Sequence, residues 1–116
     1  MKMQYRQGDV LIERVEDLAA QKETTEDRLL VRGEGRYHGH FLTGEAEIYR
    51  NPDFSAENTV SHYLDVKEEA RIQHLHTETR QATREHREVI LPPGRYRVIR
   101  QREYNPYARA IEILQD

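Results

Sequence analysis

The sequence predicts an all-β or mostly β domain, a small antiparallel sandwich or barrel of about eight short strands. Three observations carry this. Apolar residues alternate with polar ones over short runs, the period of a strand with one wet face. Turn signals recur at roughly 8–12-residue spacing, as in sandwiches and barrels. Charged residues make up 34% of the 116-residue chain, against 36% hydrophobic. That balance supports only a thin core, so many strands must keep a solvated face.

Residues 8–15 (GDVLIERV) read as a strand opened by a turn. Residues 16–26 are polar and hold at most one helical turn within a loop. Residues 28–32 form a second strand ended by Gly33 and Gly35. Residues 37–42 are short and extended, closed by Gly44. Residues 46–50 are another strand, stopped by Asn51-Pro52-Asp53, a turn signal. Residues 59–66 and 70–76 read as two further strands, and polar 77–84 as a loop. Residues 86–91 end at Pro92-Pro93-Gly94. Residues 96–103 alternate as a long strand, and 108–114 close the chain as a last one. The competing arrangement is α+β, with a helix at 15–21 or 68–76. Ala70, Ile72 and His74 fit a two-residue period better than a helical one.

The length suits one domain spanning 1–116. With no cysteine, disulfides, thiolate catalysis and Cys-based zinc sites are excluded. No apolar run approaches the roughly 18 residues of a membrane span, and no signal-peptide core is present. The expectation is a cytoplasmic protein. A net charge of −3 argues against broad nucleic-acid binding, which needs a basic surface.

Chemistry concentrates in six histidines: His38, His40, His62, His74, His76 and His86. Two pairs have the form His-x-His. Residues i and i+2 of a strand share a face, so each pair can converge. Imidazole is the commonest protein ligand for transition metals. His38, His40, His74, His76 and His86 are therefore candidate ligands for one divalent ion, with zinc, nickel or iron all compatible. Without thiolate, such a sphere belongs to open or exchangeable sites more than to closed structural zinc. The competing reading is a solvated histidine face. His62, flanked by Val60 and Leu64, reads as a core-edge histidine.

The spacing His38-x-His40 with Glu45 following resembles the first metal motif of cupins, small β-barrels that bind metal through two histidines, a glutamate and a later histidine. The second cupin motif is not matched, because Pro92-Pro93-Gly94 leads into Arg95-Tyr96-Arg97 without a histidine. Glu45 is the candidate general base or extra ligand, with a plain surface glutamate as its alternative.

Over most of its length the chain also resembles an uncharacterised family of small bacterial proteins. The matching segments are Gln7 to Ile12, Gly33-Glu34 with His38 and His40, Glu85-His86, Leu91 to Gly94, and the block from Tyr96 to Tyr104. Two departures stand out. Arg36-Tyr37 replaces the Thr-Gly that precedes the first histidine in the family, and about ten extra residues separate His74 from His86. The resemblance implies His38, His40 and His86 as a set, leaves the remaining ligand open between His74 and His76, and implies no activity.

Arg100 and Arg102 fall on one face of the C-terminal strand, where forked guanidiniums suit a phosphate or carboxylate. Cross-strand pairing with some of the 21 acidic residues is the competing role. The functional expectation is a small metal-binding β-protein, with a metal-dependent enzyme acting on a small anionic substrate as its sharper form. The alternative is a non-enzymatic structural or interaction module. A thin core and free strand edges point to a homo-oligomer under either reading.

Overall fold

A computed structural model describes residues 3–32, 37–83 and 86–100. The expected strand at 108–114 lies outside them, as do Arg102 and Tyr104. The described residues form eight strands: β1 (Gln4–Gln7), β2 (Val10–Val15), β3 (Glu23–Thr25), β4 (Leu29–Arg32), β5 (His38–Arg50), β6 (Val60–His76), β7 (Val89–Leu91) and β8 (Gly94–Arg100). All pair antiparallel in one sheet, ordered β1-β2-β8-β6-β5-β3, with β4 also on β5 and β7 also on β6. Among the described residues the sheet is not closed into a barrel. The polar segment 16–26 contributes edge strand β3 rather than a helical turn. Strand β1 is an element the alternation did not reveal.

Two boundaries differ from expectation in an informative way. Residues 37–42 and 46–50 belong to the single strand β5, and 59–66 and 70–76 to the single strand β6. The helix weighed at 68–76 is absent, and its residues are strand throughout. The turn signal at Gly44 is a β-bulge. Register passes from Gly44↔Ala70 to Ala46↔Val66, so Glu45 faces the segment 67–69. Gly44 has φ +99°, and a Cβ there would stand 2.6 Å from the Glu69 carbonyl oxygen. Only glycine fits this bend, which lets the hairpin fold over its own core.

The bend divides the β5–β6 hairpin into two halves. One half carries β3 on β5 and β8 on β6, and the other carries β4 on β5 and β7 on β6. The core lies in the concavity, where Val10, Ile12, Leu42, Leu64, Ile72, Leu91, Tyr96 and Val98 are all fully buried. Along β5 and β6 the core face runs from Leu42↔Ile72 to His40↔His74 and then His38↔His76. The period of two that buries Leu42 therefore also turns both histidine pairs toward the concavity, at its open end. Among the described residues no helix is long and apolar enough to cross a membrane.

Candidate functional site

His40 and His74 are 1% and 3% exposed, deep at the histidine end of the core. His38 and His76 are half-buried at the rim, and His86 is exposed. Ring centroids lie 4.9 Å apart for His40 and His74, 4.8 Å for His74 and His86, and 5.8 Å for His40 and His86. His38 flanks this triangle, 5.5 Å from His74 and 5.8 Å from His76. The fold thus gathers all five expected histidines at one end of the molecule. His62 stands apart, opposite Val98 on β8 and Arg50 on β5, and its Nδ1 meets the Ser61 hydroxyl at 2.8 Å.

The N-terminal segment supplies the third wall. Gln7 is 2% exposed, and its Nε2 donates to the carbonyls of Ile72 (2.9 Å) and Arg87 (2.7 Å). Both acceptors are backbone oxygens, so the amide orientation is fixed and Oε1 is left as an acceptor. It faces His40 Nδ1 at 2.7 Å. Nδ1 must therefore carry the hydrogen, and Nε2 of the neutral ring holds the lone pair. Burial, with His74 and His86 adding to it against the opposing charge of Asp9, pushes the His40 pKa down to about 4. The ring is neutral at pH 7, ready to act as a ligand without first losing a proton.

Gly8 has φ +60°, and a Cβ would stand 3.1 Å from the His86 ring and 3.5 Å from that of His40. Its backbone conformation and its closeness to two imidazoles both favour glycine. Asp9 follows, its carboxylate 3.8 Å from His40 Nε2 and its side chain 40% exposed. In the sequence, residues 8–15 read as a strand opened by a turn and Gln7 to Ile12 as a stretch shared with the resembled family, and neither marks a site residue. No local pattern shows that it meets His40, 33 positions away from Gln7.

The two members of the second pair have different surroundings. His74 Nδ1 hydrogen bonds with the Thr83 hydroxyl, so coordination by His74 would use Nε2. His76 Nδ1 accepts the backbone N–H groups of Glu78 (3.2 Å) and Thr79 (3.3 Å), capping the turn after β6. Its ring also stacks on Tyr37 at 5.7 Å.

Glu45 lies exposed in the bulge, five residues from His40 along β5, roughly 16 Å at about 3.3 Å per residue. The two-His-plus-Glu set of the cupin motif is therefore not gathered. Arg100 stands opposite Val10, the residue after Asp9, and its Nε is buried without a hydrogen-bond partner. Among the described residues, no group of three or more His, Cys, Asp or Glu is disposed to hold a metal ion as the side chains stand.

No curated protein and no solved structure matches the chain. One family does, over residues 6–101. That span includes all six histidines, Gln7, Asp9 and Thr83, and it fits the sequence's likeness to an uncharacterised family. The chain belongs to the family described as "Domain of unknown function (DUF8820)".

Proposed function

We propose that this protein binds one divalent transition-metal ion through His40, His74 and His86, with His38 beside them. The observation that carries the reading is the triangle of imidazoles, with sides of 4.8, 4.9 and 5.8 Å. With metal–nitrogen bonds of about 2.0–2.1 Å and near-tetrahedral angles, two imidazoles on one ion have centroids about 5 Å apart. Loading needs the donor nitrogens to converge further than they stand, and exposed His86 can supply that movement. Gln7 on His40 and Thr83 on His74 support the reading too, since ligating histidines characteristically engage a polar partner through the other ring nitrogen. His74 is the better ligand of its pair because His76 Nδ1 accepts two backbone N–H groups, which leaves the hydrogen of its neutral ring on Nε2 and no lone pair free for an ion.

An all-imidazole set reached through an exposed histidine favours an exchangeable centre over a closed structural one. Zinc, nickel and iron all suit it. A bound ion would supply a Lewis acid and acidify a coordinated water. Such a centre takes a small anionic ligand, for which Arg100 on β8 and Arg102, two positions further along the sequence, are the candidate cations. In this reading the protein is cytoplasmic, and the exposed edge strands β1 and β3 pair copies into a homo-oligomer.

One observation favours a structural use of the same ion. Residue 86 and Gln7 lie where β1 and β7 approach without pairing, so an ion held there would pin the curled sheet shut. Elemental analysis of untagged protein dialysed against zinc, nickel and iron(II) tests both readings. About one equivalent per chain is expected, and under about 0.1 equivalent overturns the metal site. A large fall in melting temperature with chelator then identifies the structural use, and a small one the exchangeable centre.

A further inference from the structure

The approach of Asp9 to His40 is unexplained by a hydrogen bond. At 3.8 Å it is longer than any N–H···O bond. The Gln7 amide, anchored on two backbone carbonyls, turns the hydrogen-bearing Nδ1 of His40 away from Asp9. The ring atom nearest the carboxylate is Nε2, which carries the lone pair of the neutral ring. Two electron-rich atoms thus stand 3.8 Å apart, and a cation between them would be attracted by both. Two donors sharing one ion, each about 2.1 Å from it, stand about 3.0–3.4 Å apart for octahedral to tetrahedral angles. A closure of a few tenths of an ångström at the half-exposed Asp9 brings the pair into that range.

We infer that Asp9 is the fourth protein donor of the centre, a carboxylate that joins His40, His74 and His86 on one divalent cation. The inference rests on the metal reading above and deepens it by naming the donor set. It also explains why the tight turn at Gly8, whose Cβ would press on the His86 ring, delivers an aspartate to this place. Four protein donors saturate a tetrahedral ion, whereas a six-coordinate ion keeps two positions for water or ligand. The choice between structural and exchangeable use therefore falls to the metal's coordination number.

Cobalt(II) titration of the untagged full chain tests this, because cobalt's visible absorption reports its ligands. Wild type, Asp9→Asn, Asp9→Ala and His74→Ala are compared, with circular dichroism confirming that each folds. The wild type should bind about one equivalent. The Asp9→Asn variant, which keeps the shape of the turn, should bind about 10–100-fold more weakly with a changed spectrum. If both Asp9 variants bind as wild type does, with its spectrum, while His74→Ala loses binding, Asp9 is not a donor and the three-histidine site stands. If the wild type takes up no cobalt, both proposals fall. Should Asp9→Ala not fold, Asp9→Asn alone decides the outcome.

Discussion

Replacing Gln7 by alanine should destabilise this protein far more than the loss of one polar side chain from a short edge strand suggests. The Gln7 amide ties three pieces of chain together: Ile72 on β6, Arg87 before β7 and His40 on β5. The bonds to Ile72 and His40 are buried, while the one to Arg87 is only partly so. Each hydrogen bond is worth about 1 kcal/mol net, and each buried group left without a partner costs about 1–3 kcal/mol. Taking about 1–2 kcal/mol for each of the two buried orphans and about 1 kcal/mol for the wetter loss gives roughly 3–5 kcal/mol, a large share of the 5–15 kcal/mol typical of a domain. At about 4 °C per kcal/mol for a chain this size, the melting temperature should fall by roughly 12–20 °C. Urea unfolding at pH 7, followed by circular dichroism, measures the loss directly. Gln7→Glu should be no better, since a carboxylate keeps an acceptor for His40 but repels both carbonyls. A loss below about 1 kcal/mol in Gln7→Ala would refute the idea that this amide holds the site together.

Two further predictions concern the bend and the isolated histidine. Gly44→Ala should cost roughly 1–3 kcal/mol or more, since it adds left-handed strain to a 2.6 Å approach to Glu69; an unchanged urea midpoint would mean that the bend does not need glycine. Burial first, and then Arg50, lower the His62 pKa from 6.5 to about 4, against an opposing pull from Asp27. Between those values the unfolded chain binds the proton and the folded chain does not. Stability is therefore full above about pH 6.5 and declines as pH falls toward 4, by roughly 1–3 kcal/mol. His40 acts in the same direction. Urea midpoints across pH 4–7 should slope less in His62→Gln than in wild type, and equal slopes would remove His62 from the account.

Much of the architecture was legible in the alternation of apolar and polar residues. Strands β2, β4 and β8 lie close to where that pattern put them, and all four residues of the two His-x-His pairs share the face it assigned. The two long strands each look like a pair of shorter ones because Gly44 resembles a turn locally and the charged run Lys67-Glu68-Glu69 interrupts the alternation. A bulge uses the same residues as a turn, and only the pairing partner distinguishes them. Short β1 was hidden because Gln4, Tyr5, Arg6 and Gln7 alternate too weakly to stand out.

What the sequence by itself determined is the class of fold and the side of the strand on which each histidine lies. Both follow from a period of two, which is a property of the backbone and needs no knowledge of neighbours. Tertiary structure alone decided which strands lie side by side. It set His74 opposite His40, brought His86 across from a separate segment, and turned His76 to capping the loop beyond β6. It also drew Gln7 and Asp9 to His40. Those relations arise when the sheet curls over its core and buries polar groups that must then find partners, a demand met by residues far apart in the chain.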